Sequence, residues 1–152
     1  MLWLLSKDFG LSNIVPANKK FPFYISHDAG TFGYRDLHNA GTRFLTKEVD
    51  VYSFGVVLFE VLCGRLCAEN YKDGYPLLSE MAQRCYEGKI IRTIALDCLQ
   101  DQISPTSLAK FSEIAYECLQ IDHNKSPSHS DIIRKLKVAL ACQDITSGKK
   151  GG

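Results

Sequence analysis

The sequence predicts a mainly α-helical domain that is built around one buried central helix and preceded by a long irregular loop. Three observations support this fold class. An apolar run covers residues 50–62, two later segments carry apolar residues at helical spacing, and the residues ahead of the run show no sustained periodicity. Apolar residues make up 45% and charged residues 23% of the chain, which is ordinary for a soluble globular protein. A chain of 152 residues fits one domain with a real core.

The apolar run over residues 50–62 is the element around which we expect the rest to pack. Its interruptions are Ser53, Gly55 and Glu60. A helix that is apolar on all sides is buried in a protein or in a membrane, and this run is shorter than the ~20 residues that a bilayer core requires. We therefore predict a buried core helix, with Asp50 as its N-cap and Gly64 as its C-terminal cap.

The segment ahead of the core helix is predicted to be largely irregular. Residues 1–5 form a short apolar run, which predicts a buried strand. Residues 10–45 contain repeated glycines and prolines without periodicity. A compact domain rarely keeps more than about 15 structureless residues unless they are functional or disordered. We therefore expect a binding or regulatory loop in this segment.

Three further helices are predicted after the core helix. A short helix over Leu77–Glu87 ends at Gly88, and a longer one over residues 105–120 begins at the pair Ser104-Pro105, a typical helix start. A last helix over residues 128–143 begins at Ser128 or Ser130.

The remaining segments after the core helix carry weaker signals. Residues 65–76 are predicted to form a loop, and residues 89–103 give no firm prediction. The domain is expected to cover residues 1–145, followed by a polar, disordered tail over residues 146–152.

Charge and cysteine usage exclude several function classes. The formal net charge is +1 and the basic residues are dispersed, so nothing indicates binding to nucleic acid or to an anionic membrane surface. No membrane span is expected. The six cysteines lack CxxC pairs and the four histidines lack metal-site spacing. We therefore expect free thiols in a reducing compartment.

Three short motifs follow one another along the chain. They are Asp8-Phe9-Gly10, Gly30-Thr31-Phe32-Gly33-Tyr34 and Asp50-Val51-Tyr52-Ser53-Phe54-Gly55-Val56. Each motif alone is weak, but in this order and spacing they resemble the C-terminal lobe of a eukaryotic protein kinase. The residues of these motifs are similar to those of plant receptor-like and receptor-like cytoplasmic Ser/Thr kinases. The resemblance runs from about residue 4 to about residue 143 and implies the fold of a kinase C-lobe.

The resemblance implies a cofactor site at Asp8, Phe9 and Gly10. In the family the aspartate holds Mg²⁺ against the phosphates of ATP, and the phenylalanine beside it is a packing switch. Carboxylate and phosphate oxygens are the ligands that Mg²⁺ takes. Without the other motifs, Asp8 would be interpreted as a turn residue ahead of Gly10.

The resemblance also implies an activation loop over residues 11–29 and a substrate-seating segment after it. The seating residues are Gly30, Thr31, Gly33 and Tyr34. The candidate phosphorylation sites are Ser12, Ser26 and Thr31. Such hydroxyls also occur in loops simply because they are solvated. Asp50 matches the buried aspartate that ties the core helix to the catalytic loop, although a helix cap accounts for it equally well.

Several motifs that an active kinase needs are absent from this sequence. It contains no G-x-G-x-x-G loop, no V-A-I-K-like lysine and no H-R-D-x-x-x-x-N catalytic loop. The phosphate clamp, the catalytic base and the second Mg²⁺ ligand are therefore missing. Because phosphoryl transfer depends on positioning and electrostatics, we expect this chain to be inactive by itself.

Two positions inside the matched region depart from the family pattern. The glutamate of the A-P-E triplet is replaced by His38, and the arginine of the R-P-S-like motif is replaced by Ser126. In the family these two residues form one buried ion pair. Losing one partner costs about 3–5 kcal/mol, whereas losing both can be nearly neutral. The paired loss is compatible with folding and indicates a relaxed constraint on activity.

Three functional hypotheses follow from these patterns. The first is a partial Ser/Thr protein kinase domain that lacks activity alone. The second is a non-catalytic module that binds a protein substrate or a partner kinase, and the third is an unrelated helical protein. A cytoplasmic location is expected, with the parent kinase at the cytoplasmic face of the plasma membrane. The oligomeric state is open, and one face of the core helix is expected to be exposed.

Overall fold

A computed structural model of the chain describes residues 23–24, 31–34, 44–45, 47–69, 71–120 and 126–149. These residues are mainly helical, as predicted. The α-helices are α1 (Lys47–Cys63), α2 (Leu78–Glu87), α3 (Asp97–Gln100), α4 (Pro105–Cys118) and α5 (His129–Lys149). Two 3₁₀ helices, Tyr71–Asp73 and Ile91–Ile94, lie in the connections. Within the described ranges, no helix combines the length and the apolar content needed to cross a bilayer.

Within residues 10–45 the described residues include two short strands, which were not predicted. Strand β1 (Phe23–Tyr24) pairs antiparallel with strand β2 (Phe44–Leu45), and Phe23 lies opposite Leu45. Aromatic residues favour strands, but two residues are too few to show an alternating pattern. The predicted strand over residues 1–5 lies outside the described residues.

Helix α1 begins at Lys47, so the prediction that Asp50 is its N-cap is wrong. Lysine and glutamate are good helix formers and extend the helix ahead of the apolar run. Asp50 instead lies in the first turn, where a carboxylate still interacts favourably with the helix N-terminus. The predicted cap at Gly64 is confirmed, since this residue has a φ of 67° and its N–H donates to Glu60 O at 2.8 Å.

The core forms where α1 packs against α2 and α4. A Cβ atom at Gly55 would lie 2.7 Å from Cys118 Cβ, so only glycine permits this close approach of α1 and α4. The largest fully buried side chains include Phe59, Leu77, Leu78, Ile114 and Leu119. Helix α4 packs against α1 on one side and against α5 on another. Ile114 of α4 and Ile132 of α5 belong to a second buried cluster.

The prediction that α1 is buried on all sides is wrong, whereas the expected exposed face is present. Phe54, Val57 and Val61 face solvent, and the side chain of Val61 is 64% exposed. These residues are spaced i, i+3 and i+7 and therefore form one stripe along the helix. The described residues thus leave this stripe of α1 uncovered.

The helices after α1 follow their predicted start signals closely. Helix α4 begins after Ser104, whose hydroxyl oxygen accepts from Ser107 N at 3.1 Å. Helix α5 begins after Ser128, which exchanges hydrogen bonds with Asp131 through its hydroxyl group. Helix α5 continues to Lys149, beyond its predicted end at residue 143 and into the predicted tail. Polar residues on a solvent-facing surface do not by themselves end a helix, which explains the difference.

Side-chain bonds join α4 and α5 along their length. Ser107 Oγ donates to Ala139 O at 2.8 Å, and Gln143 Oε1 accepts from Ser104 N at 2.8 Å. Lys135 forms a half-buried ion pair with Glu117. Three of the six cysteines, Cys63, Cys67 and Cys118, are buried. Helices α4 and α5 are therefore joined by side-chain bonds, and α1 packs against α4.

Candidate functional site on the core helix

Residues 31–34 form a tight turn on the surface of α1. Tyr34 N donates to Thr31 O at 3.1 Å, and Gly33 adopts a φ of 90°. Gly33 is buried, and a Cβ atom there would lie 3.3 Å from Cys67 Sγ and 3.5 Å from Leu77 Cδ2. Both the left-handed backbone and the lack of space therefore require glycine at this position.

One carboxylate oxygen fixes the turn to the core. Glu60 Oε1 accepts from Tyr34 Oη at 2.5 Å and from Cys67 N at 2.7 Å. This arrangement of Glu60, Tyr34 and Cys67 is called the carboxylate clamp below. Hydrogen bonds to an ionised acceptor are shorter and stronger than neutral ones. The clamp joins the turn, helix α1 and the loop after α1 at one point.

Two further bonds hold the carbonyl groups of the turn. Ser53 Oγ lies 2.7 Å from Tyr34 O and 3.0 Å from Val49 O, so its single hydroxyl proton is shared between two acceptors. Cys67 Sγ donates to Gly33 O at 3.3 Å. One carbonyl group at the end of the turn is thus bonded to α1 and the other to the loop after α1, so the turn has a defined orientation on α1.

The surroundings of Tyr34 keep its phenol neutral. Burial raises the pKa of Tyr34 to about 12, and the hydrogen bond to Glu60 and the negative charge of Glu60 act in the same direction. A neutral phenol donates a hydrogen bond, whereas a phenolate beside a carboxylate would be repelled. The clamp therefore persists throughout the neutral pH range.

The outer surface of the turn faces solvent. Thr31 is exposed, and the side chain of Phe32 is 50% exposed. The ring of Phe32 packs against Tyr71 with a centroid distance of 4.8 Å and an interplanar angle of 59°. The surface formed by Thr31, Phe32 and Tyr71 is called the seating surface below. It offers the hydroxyl groups of Thr31 and Tyr71 and a tilted aromatic pair to an approaching chain.

The structure brings three of the predicted site residues together. Thr31, Gly33 and Tyr34 share the turn on α1. Asp50 is exposed rather than buried. Partial desolvation raises the pKa of its carboxyl group, and the nearby His129 opposes this shift only in part. Ser126 is half-buried. The remaining predicted positions, Asp8, Phe9, Gly10, Ser12, Ser26, Gly30 and His38, lie outside the described residues.

The residues that anchor the turn were not predicted from the sequence. Glu60, Ser53 and Cys67 supply its bonds, but in the sequence the first two were only polar interruptions of an apolar run. A signal was present, because a carboxylate within an otherwise apolar helix must find hydrogen-bond donors. The identity of those donors depends on contacts between distant segments of the chain.

Comparison with known proteins shows which proteins the chain is similar to. No protein-family model matches the chain. A receptor-like protein kinase of Arabidopsis thaliana is 38% identical over 144 residues, which are 94% of this chain and 17% of that protein. The receptor-like protein kinase FERONIA of the same plant is 34% identical over 90% of this chain and 15% of its own length. The serine/threonine-protein kinase-like protein CCR4, also from Arabidopsis thaliana, is 35% identical over 88% of this chain and 18% of its own length.

This chain belongs to the receptor-like protein kinase family. The predicted family resemblance is confirmed, and the helical fold around α1 agrees with a kinase C-lobe. This receptor-like kinase chain spans about one-sixth of the length of the curated relatives that it matches. The turn over residues 31–34 lies within that matched region.

The clamp of this receptor-like kinase chain can be tested with two substitutions at one position. Glu60→Ala leaves Tyr34 Oη and Cys67 N without their acceptor, so we expect the free energy of unfolding to fall by about 2–3 kcal/mol. Glu60→Gln keeps a carbonyl oxygen, and we expect it to lose about half as much. Urea unfolding measures both. The control Glu69→Ala, at an exposed position, should change stability by less than about 0.5 kcal/mol. Equal losses for Ala and Gln would contradict the role of the oxygen acceptor.

The raised pKa of Tyr34 predicts a specific loss of stability at alkaline pH. Folding favours the neutral phenol, so its contribution is complete below the unfolded pKa and is lost as the pH rises from about 10 towards 12. Tyr34→Phe cannot ionise and lacks this component. The free energy of unfolding, measured against pH for both proteins, should therefore fall more steeply for the wild type in that window. Parallel curves would show that Tyr34 titrates normally.

Proposed function

We propose that this chain is the activation-segment and C-lobe part of a Ser/Thr protein kinase domain, over residues 1–145, and that it is inert by itself. The whole kinase would transfer phosphate from ATP to serine or threonine residues of proteins. The carboxylate clamp carries the proposal, because it fixes the turn at Thr31–Tyr34 on α1 while its outer surface stays accessible. A substrate-seating segment requires this combination of a fixed backbone and an open surface.

The cofactors of the whole kinase would be ATP and Mg²⁺. Asp8 would supply one carboxylate to the metal ion, with Phe9 and Gly10 beside it. The sequence contains no phosphate-binding lysine, no Gly-rich loop and no catalytic-loop asparagine to complete that site. One carboxylate does not hold an ATP–Mg²⁺ complex in a reactive geometry, so no phosphoryl-transfer step is assigned to this chain.

The contribution of this chain to the whole kinase would be positioning of the protein substrate. Gly30, Gly33 and Tyr34 would set the backbone of the turn, and Thr31 would face the residue that accepts phosphate. The exposed hydroxyl of Thr31 is also a candidate phosphorylation site, together with Ser12 and Ser26. Asp50 would support the catalytic loop of a complete domain from the first turn of α1.

The replaced ion pair fits a domain under relaxed selection for activity. Ser126 is half-buried and carries no charge, so its neighbourhood needs no buried counter-ion. His38 would be the matching replacement at the end of the activation segment. A cytoplasmic location is proposed for the chain, with the whole kinase at the cytoplasmic face of the plasma membrane.

A second candidate function is a non-catalytic protein-binding module. It is favoured by the seating surface, where Phe32 and Tyr71 form an accessible aromatic pair. Aromatic side chains supply much of the binding energy in protein interfaces. A chain that keeps this surface without catalytic groups would bind a complete kinase or the protein substrate of one.

The first proposal predicts no phosphotransfer by the purified chain. Incubation with radiolabelled ATP, Mg²⁺ and casein should give no incorporation into either protein, because the catalytic base and the phosphate clamp are missing. A complete kinase domain of FERONIA serves as the positive control in the same assay. Incorporation that depends on ATP and disappears in Asp8→Asn would contradict the proposal.

The second candidate predicts binding through the seating surface. The purified chain should bind an immobilised complete kinase domain, and Tyr71→Ala should weaken this binding about tenfold because an aromatic anchor is lost. The matched control is Tyr75→Ala, since Tyr75 is an exposed tyrosine of the same loop. Absence of binding, or equal effects of the two substitutions measured by surface plasmon resonance, would count against a binding module.

A further inference from the structure

Cys67 lies where the turn over residues 31–34, helix α1 and helix α2 meet. Its N–H group donates to Glu60 Oε1 at 2.7 Å. Its carbonyl oxygen accepts from Leu78 N, at the start of α2, at 2.9 Å. The N-cap residue of α2 is Leu77, whose side chain cannot accept a hydrogen bond, so the carbonyl group of Cys67 takes over part of the capping. The backbone of Cys67 thus joins α1 to α2.

The thiol group of Cys67 extends this junction to the turn. Its Sγ atom lies 3.3 Å from Gly33 O and 3.8 Å from Ser79 Oγ. A thiol carries one proton, and a carbonyl oxygen can only accept. The proton therefore points to Gly33, and the sulfur atom accepts from the hydroxyl group of Ser79. Ser79 is buried, and a buried hydroxyl group needs such a partner. One chain of hydrogen bonds therefore runs from α2 through Cys67 to the turn.

Packing holds the turn against the same sulfur atom. A Cβ atom at Gly33 would lie 3.3 Å from Cys67 Sγ and 3.6 Å from Ala68 Cβ, so the thiol group fills the space directly beneath Gly33. Phe32 is the next residue along the turn, and its ring lies 4.8 Å from that of Tyr71. Since the peptide bond between Phe32 and Gly33 is planar, a movement of Gly33 also moves Phe32.

We propose that Cys67 is a positioning residue of the seating surface. Its thiol group holds Gly33 against α2 and thereby sets where Phe32 meets Tyr71. The seating surface then moves with α2 as well as with α1. Each hydrogen bond of a thiol group is weak, but two such bonds and one packing contact converge on this sulfur atom. The inference rests on the proposed seating function of the turn and adds the residue that sets its position.

Substitution of Cys67 isolates the thiol group, because the backbone bonds to Glu60 and Leu78 remain. In the full 152-residue chain, Cys67→Ala should shift the carbonyl-carbon NMR resonance of Gly33, whose oxygen loses its donor. The nuclear Overhauser contacts between the rings of Phe32 and Tyr71 should be lost as well. Cys67→Ser keeps one donor and one acceptor at this position, so it should restore both signals to nearly their wild-type values.

A matched control removes a different buried thiol. Cys118 is buried in α4, where it contacts α1 at Gly55. Cys118→Ala makes the same chemical change in the core, so it should lower stability without shifting the signals of Gly33 and Phe32. Ser79→Ala removes the other end of the chain of hydrogen bonds. It should shift the Gly33 resonance in the same direction as Cys67→Ala but by less, because the thiol group still donates to the carbonyl group.

Several results would overturn the proposed role of Cys67. The Gly33 resonance and the ring contacts could be unchanged in Cys67→Ala, or Cys118→Ala could disturb them equally. Failure of Cys67→Ser to restore them would show that the sulfur atom acts through its volume alone. If Cys67→Ala does not fold, Ser79→Ala decides in its place, and an unchanged Gly33 resonance in that variant would contradict the hydrogen-bond chain. The measurements need neither ATP nor a partner protein, so failure here is distinguishable from failure of the proposed function.

Discussion

A single carboxylate in an apolar helix determines how the candidate site is arranged. Glu60 lies in α1 among side chains that form the core, and its Oε1 atom accepts from Tyr34 Oη and Cys67 N. Glu60 is half-buried, and a partly desolvated carboxylate is stabilised by such hydrogen-bond donors. The need to satisfy Glu60 therefore draws the turn at residues 31–34 and the loop after α1 onto the same point of the core. The conformation of the turn therefore depends both on Gly33 and on these bonds to α1 and the loop after it.

The two sides of α1 have different physical consequences. On one side Gly55 allows α4 to approach closely, and the resulting contact buries Phe59 and Leu119. That side contributes to the buried apolar core that stabilises the domain. On the other side Phe54, Val57 and Val61 remain exposed, which is unfavourable unless another helix covers them. The same helix thus contributes to the stable core and carries an exposed apolar stripe.

Local signals in the sequence predicted most of the helices, whereas the anchoring of the site depends on distant contacts. Gly64, Ser104 and Gly88 mark helix ends through their own backbone or side-chain groups, and the structure confirms them. The predicted start of α1 at Asp50 and the predicted end of α5 at residue 143 are wrong, because neither observed end carries a strong local signal. The motif at residues 30–34 predicts a substrate-seating segment, and its residues 31–34 form a turn on α1. Its bonds to Glu60 could not be predicted, since they join residues 26 positions apart.

Native-state amide hydrogen exchange tests the central claim, that the turn and the core helix form one unit, most directly. The N–H group of Cys67 donates to Glu60, and that of Tyr34 closes the turn. If the clamp couples these segments, both amides should be protected with the same free energy as the interior amides of α1 at Val56 and Phe59. Exchange of Tyr34 and Cys67 at rates near those of an unstructured peptide, while α1 stays protected, would contradict the account.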